Sequence, residues 1–201
     1  MSVNLEFYAV AWTDVSAAIG CRNRRLFSTI LKKTDSYFEE VFDPEDFDDG
    51  PDFEVGLERW IDGDVDAPED GEPTTIVNLG DALGFVALVR FHGQLVGSLN
   101  HSISAGDRFR QGFLLGAAQR LVHAPFSLEQ LLSRPVVGYE SDDFPFWGGL
   151  KRAELGQLRE AVTKDVPSWE ADSDIDEWLL DLWNSLRGSM EAGRDLITIY
   201  S

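Results

Sequence analysis

The sequence of 201 residues predicts an α+β fold, a mainly helical single domain over residues 1–201 with a small sheet that contains the N- and C-terminal strands. The segment 2–12 alternates apolar and polar residues, as a half-buried strand does. The chain closes with DLITIYS, whose β-branched and aromatic residues favour a second strand. Because two strands alone are marginally stable, we expect them to lie side by side with helices packed on one face.

Between these strands, apolar residues first recur at helical spacing over 22–33. A second helix is predicted around 75–91, and it has almost no polar side, so we expect it to be central and buried. The segment 92–106 is rich in glycine, serine and asparagine, which favours a loop or a short hairpin.

The second half of the chain is predicted to be largely helical. Helical patterns occur, in chain order, at 107–121, from the capping-box motif at 127–130 to Pro135, and at 155–162. The clearest pattern covers 174–191, where Trp178, Leu182 and Trp183 share one apolar stripe. We expect this stripe to face the core.

The chain is strongly acidic, with a formal net charge of −19. Such a charge argues against nonspecific binding to nucleic acid or to an anionic membrane, because both need a basic surface. Residues 39–72, the acidic arm, contain sixteen acidic residues and the single cation Arg59. A block of like charge is typical of a solvated, partly flexible segment. A salt-adapted proteome would produce the same acidity without any partner.

The acidic arm has two interpretations. Phe53, Leu57, Trp60 and Ile61 predict a short amphipathic helix inside it, and the neighbouring segment 21–33 carries five cations and no acid. In the first interpretation, arm and basic helix neutralise one another on the surface. In the second, the arm captures a basic protein. The candidate partner-binding residues of the arm are Asp46, Asp48, Asp49, Asp52, Trp60, Asp62 and Asp64.

A second candidate surface is the stretch GYESDDFPFWGGLKR at 138–152. Pro145 restricts the residue before it to an extended conformation, so the aromatic residues form a stiff hook. The hook either anchors a partner or is plugged into the core, and the core plug is the favoured interpretation. Its candidate partner-binding residues are Asp142, Asp143, Phe146 and Trp147.

Motifs for catalysis or metal binding are absent from the sequence. One cysteine, Cys21, and three dispersed histidines form no zinc pattern. A single cysteine cannot form a disulfide within the chain, which favours a reducing, cytoplasmic compartment. Asp62, Asp64 and Asp66 alternate as a calcium loop begins, but Ala67 occupies the position that needs glycine. No nucleophile is paired with a base, so no cofactor, metal or catalytic residue is predicted. The apolar run at 82–89 is too short to span a membrane.

Several short motifs carry a family resemblance. They are AAIG at 17–20, DFPFWGG at 143–149, WLLDLW at 178–183 and GRDLITIY at 193–200. The chain resembles a family of uncharacterised bacterial proteins with a DFP-x-x-G element and a C-terminal GRDLV-x-FY-like strand. This resemblance implies a fold and boundaries but no activity. In architecture and acidity the chain is also similar to the small α+β immunity proteins that neutralise bacterial toxins.

Two classes of function follow. The preferred one is a noncatalytic acidic protein-binding module, of immunity or antitoxin type, that recognises a basic protein. The alternative is an enzyme or small-ligand-binding domain with a pocket near the DFPFWGG loop. A deep pocket with convergent polar groups favours the alternative, and a flat acidic face favours the first class.

Overall fold

The computed structural model describes residues 2–41, 53–68, 71–102, 134–141, 145–165 and 174–200. The helices of this part of the chain are α1 (Trp12–Ala18), α2 (Arg24–Val41), α3 (Phe53–Asp62), α4 (Leu79–His92), α5 (Arg152–Asp165) and α6 (Asp174–Glu191). Its strands are β1 (Ser2–Val10), β2 (Thr74–Ile76), β3 (Gln94–Ser102), β4 (Tyr139–Ser141), β5 (Phe146–Leu150) and β6 (Asp195–Tyr200).

The main sheet has four antiparallel strands in the order β3-β1-β6-β5. Strands β1 and β6 pair from Leu5 opposite Tyr200 to Val10 opposite Asp195. The predicted α+β fold, with the N- and C-terminal strands side by side in one small sheet, is therefore confirmed. Strands β2 and β4 form a separate parallel pair.

Helices cover both faces of the main sheet rather than one. Successive side chains of a strand point to opposite faces. Tyr8 and Val10 of β1 pack with Ile197 of β6 in a core cluster shared with α3 and α4. On the other face, Phe7 lies near Ser185 of α6, and α6 contacts β3, β1 and β6. The predicted packing of 174–191 on the sheet is confirmed.

The predicted stripe of α6 is partly confirmed. Leu179, Leu182 and Leu186 are buried, whereas Trp183 keeps part of its surface exposed. The side chain of Trp178 lies outside the described residues.

Helix α4 is the centre of the larger core. Residues 81–89 are all buried, and the Asn78 side chain caps the helix by accepting a hydrogen bond from the Asp81 amide. Helix α3 lies against α4 at Gly56 and Gly84. A Cβ atom on Gly84 would lie 2.5 Å from the carbonyl carbon of Gly56, closer than two such atoms can approach. Glycine at this position therefore sets the distance between the two helix axes.

Three segments differ from the sequence-based prediction. Residues 94–102 form strand β3, because pairing with β1 supplies a tertiary partner that local turn propensity does not reveal. Helix α2 continues to Val41, past the predicted start of the arm at residue 39. The DFPFWGG stretch contains strand β5 rather than only a loop, and Gly149 lets the strand lie close to Trp12 and Leu196. The helices predicted at 107–121 and after 127 lie outside the described residues.

In the described part of the chain, no helix combines the length and the apolar character needed to cross a membrane.

The glycine contact between α3 and α4 is tested by Gly84→Ala. We expect this variant to lower the free energy of unfolding by about 1–3 kcal/mol, because the added methyl group meets backbone atoms that cannot rotate away. Gly156→Ala in α5 is the matched control, since nothing lies within 4 Å of the added Cβ. It is expected to stabilise the protein by about 0.5–1 kcal/mol. Urea denaturation measures both, and equal effects of the two variants would contradict the close-packing account.

Candidate functional site

The candidate site begins with a buried carboxylate on β1. Glu6 is only 6% exposed and points, like Tyr8 two residues later, toward the face covered by α4. A carboxylate removed from water needs a cation or hydrogen-bond donors. Arg90 lies directly after the buried run of α4, and its Nη1 is 2.5 Å from Glu6 Oε2. The Tyr8 hydroxyl donates to the same oxygen at 2.9 Å.

The guanidinium of Arg90 is also stacked on an aromatic ring. Its Cζ lies 3.1 Å from the ring centre of Tyr37 in α2 and 5.5 Å from that of Tyr8. The ion pair and the stacked ring together hold Arg90 in one orientation. No described residue accepts a hydrogen bond from its Nε or Nη2. These two nitrogens remain available as donors.

A cavity of about 530 Å³ opens beside these groups. This cavity, the arginine pocket, is lined by Tyr8, Lys33, Thr34, Tyr37, Arg90, Phe91, Gly93 and Leu95. The Lys33 ammonium lies 5.0 Å from the ring centre of Phe91. No carboxylate among the described residues lies within ion-pair distance of Lys33. The charged side chains in the described part of the lining are therefore Lys33 and Arg90, both cationic.

The electrostatics of the arginine pocket suit binding rather than proton transfer. Burial raises the pKa of Tyr8, and the neighbouring Glu6 carboxylate raises it further. The Tyr8 hydroxyl therefore keeps its proton at neutral pH. Glu6 accepts from both Tyr8 and Arg90, so its Oε2 is already engaged. Among the described lining residues, none is a free general base.

Two predicted partner-binding residues are core residues instead. Trp60 and Trp147 are fully buried and both pack against Phe85, with ring centres 5.3 Å and 4.6 Å from it. Trp60 Nε1 donates to the Asp81 carbonyl, and Trp147 Nε1 donates to the Tyr139 carbonyl. The burial of Trp147 agrees with the core-plug interpretation that the sequence favoured for the DFPFWGG stretch. The candidate partner-binding role of Trp60 and Trp147 is corrected, because their apolar area and their donors are already satisfied inside the fold.

The described acids of the arm are partly neutralised within the chain. Arg24 of α2 pairs with Glu58 and, at 2.7 Å, with Asp62 of α3. Arg59 pairs inward with the buried Asp81 at 2.7 Å. Asp64 is exposed.

The remaining predicted partner-binding residues are only partly placed by the structure. Phe146 is half-buried in β5, with its ring centre 6.3 Å from that of Tyr200. The other predicted acids, namely Asp46, Asp48, Asp49, Asp52, Asp142 and Asp143, lie outside the described residues. Within the described residues, the structure does not bring the predicted acids into one site.

A second cavity, of about 450 Å³, is lined by Asp66, Ala67, Glu72, Pro73 and Thr74. Its charged groups are two exposed acids with no described cation among them. Over the residues that the structure describes, no three histidine, cysteine or acidic side chains meet in a metal-binding arrangement. Neither of these two cavities is lined by residues 145–150, and the alternative prediction of a pocket near the DFPFWGG loop stays a prediction.

The residues of the arginine pocket were not predicted as a site. Two signals for them exist in the sequence. Glu6 and Tyr8 alternate with the apolar residues of β1, and Arg90 is a basic residue directly after the apolar run 82–89. Neither signal shows that these residues meet, because 84 positions separate Glu6 from Arg90.

The whole chain matches one protein family. Residues 1–201 match the model of the domain of unknown function DUF7691, and the chain belongs to this family. No curated protein matches the chain, and no solved structure does. The short motifs indicated a resemblance to an uncharacterised family, and the match agrees with that much of the prediction. The match assigns no activity to this chain.

The ion pair beneath the pocket is tested by a double-mutant cycle. Arg90→Met leaves Glu6 buried without its cation. We expect the free energy of unfolding to fall by about 3 kcal/mol, the lower end of the range for broken buried ion pairs. Glu6→Gln is expected to cost less, because Arg90 reaches solvent. The double variant should be more stable than the sum of the two losses by at least about 1 kcal/mol in urea denaturation. Additive losses would show that the two groups do not interact.

His92, next to Phe91 at the end of α4, gives a pH dependence. Its Nε2 is buried without a partner, and burial lowers its pKa. The unfolded chain then binds the proton more tightly than the folded chain, so stability is complete above about pH 6.5 and falls as the pH falls below it. In His92→Gln, we expect a flatter dependence of the free energy of unfolding between pH 7.5 and 5.5. The same slope in both proteins would contradict this assignment.

Proposed function

We propose that the protein binds a small negatively charged molecule in the arginine pocket. One observation carries the proposal: in a chain of net charge −19, the charged side chains among the described residues that line this cavity are the two cations Lys33 and Arg90. Lys33 has no described counter-ion, and Arg90 offers Nε and Nη2. A volume of about 530 Å³ falls in the usual range for small-ligand sites.

Preorganisation supports the proposal. A binding site loses less free energy when its donors are already fixed before the ligand arrives. The Glu6 carboxylate and the Tyr37 ring hold the Arg90 guanidinium from two directions. Charge-assisted hydrogen bonds from such a group to an anion are stronger and shorter than neutral ones.

The overall acidity does not exclude an anionic ligand. Exposed charges farther away than the screening length of about 8–10 Å act weakly at physiological salt. The cations of the pocket act at contact distance, where water screens them less. Repulsion by the rest of the chain slows the approach of an anion, but the local donors determine how long it stays.

The sequence-based hypothesis of a basic protein partner stays a prediction. Most of the acids on which it rests lie outside the described residues. Two described acids, Glu58 and Asp62, pair with Arg24 of the same chain. That pairing favours the interpretation in which α2 and the acidic arm neutralise one another.

The proposed function is tested by exchanging Lys33 for glutamine. Titration calorimetry with benzoate and with inorganic phosphate measures whether the protein binds an anion. We expect Lys33→Gln to weaken binding of the better anion about tenfold or more, the usual effect of losing one charge-assisted hydrogen bond.

Lys32→Gln is the matched control, because Lys32 is the preceding residue of α2, is also exposed and does not line the pocket. It removes the same charge from the protein, so we expect nearly unchanged binding. Equal losses in the two variants, or no binding of either anion by the wild type, would contradict the proposal.

A further inference from the structure

The arginine pocket has few polar groups that are free to meet a ligand. The Thr34 hydroxyl donates to the Ile30 carbonyl of its own helix, and the Tyr8 hydroxyl donates to Glu6. Tyr37 also has interactions beyond its contact with Arg90. The uncommitted donors of the described lining are therefore the two cations alone. Such a set matches a ligand with one compact anionic group.

The described lining also has two apolar side chains, Phe91 and Leu95. Phe91 is partly exposed in the cavity wall, and Leu95 of β3 is 50% exposed although it is a large aliphatic residue. Burying apolar surface is favourable in proportion to the area removed from water. A ligand that covers Leu95 and Phe91 gains this contribution, whereas an inorganic anion on Lys33 and Arg90 does not.

The cations of the described lining limit the charge of the ligand. Repulsion from the acidic chain is weak at physiological salt, but each further negative charge on the ligand adds to it and has no cation in the described lining to offset it. Two cations at the site offset one anionic group, and one of them, Arg90, already neutralises Glu6. A polyanion has no matching donors in the described lining.

We infer that the ligand is an organic acid with a single negative charge on an apolar body of at least the size of a benzene ring. This inference rests on the proposed function and specifies the class of ligand. Its anionic group lies between Lys33 and Arg90. Its apolar body covers Phe91 and Leu95.

The first experiment compares anions on the wild-type protein by titration calorimetry or ligand-observed NMR. The probes are phenylacetate and octanoate, each with an apolar body, and acetate, inorganic phosphate and citrate, which lack one. We expect phenylacetate or octanoate to bind at least about tenfold more tightly than acetate, and citrate to bind most weakly. Phosphate or citrate binding as tightly as the apolar acids overturns the inference but leaves the proposed function intact. No binding by any probe overturns both.

The second experiment uses Leu95→Ser, with Val77→Ser as the matched control. Val77 is 77% exposed and does not line the pocket, so its replacement also removes an exposed aliphatic side chain. We expect Leu95→Ser to weaken the preference for octanoate over acetate by about threefold or more, and Val77→Ser to leave it unchanged. An unchanged preference in both variants overturns the assignment of the apolar body to Leu95. Thermal unfolding of both variants shows that each is folded before the titration.

Discussion

The ion pair between Glu6 and Arg90 is the interaction on which the site depends. It joins the middle of β1 to the end of α4, two elements that are otherwise held together by apolar packing. A buried ion pair often adds little net stability, because both charges lose their hydration. In this protein the main effect of the ion pair is to fix the position of the Arg90 side chain. The pair fixes the guanidinium in the lining of the arginine pocket, and the guanidinium in turn stacks on the Tyr37 ring.

The packing around α4 explains why the pair forms where it does. Gly56 and Gly84 let α3 approach α4 closely. Phe85, the residue after Gly84, packs against the rings of Trp60 and Trp147. The helix is consequently buried on all sides up to Val89. Arg90 is the first residue of α4 after this run with access to solvent, so the end of the buried helix places a cation in the lining of the arginine pocket. The local basic character of the cavity therefore arises within a strongly acidic chain.

Much of the fold follows from local pattern, and the site does not. The alternation in β1, the all-apolar run of α4 and the stripe of α6 identify their elements directly, because each pattern reports which faces are buried. Local pattern does not identify strand β3, because its polar and glycine-rich sequence forms a strand through pairing with β1. Trp60 shows a related limit. Its spacing predicts a helix correctly, but spacing alone does not tell whether an amphipathic helix in an acidic segment packs on its own chain or on another. The arginine pocket combines residues from β1, α2, α4 and β3, and only tertiary structure brings these together.

The central claim is that the free nitrogens of Arg90 meet a ligand anion. The most direct measurement is an NMR titration with phenylacetate that follows the Arg90 Nε–H signal, assigned by comparison with an Arg90→Lys variant. We expect this signal to move in a saturable way, together with the methyl signals of Leu95 and the side-chain signals of Lys33. A titration in which the Arg90 Nε–H signal stays fixed while the protein binds phenylacetate elsewhere, or does not bind it, would contradict the account.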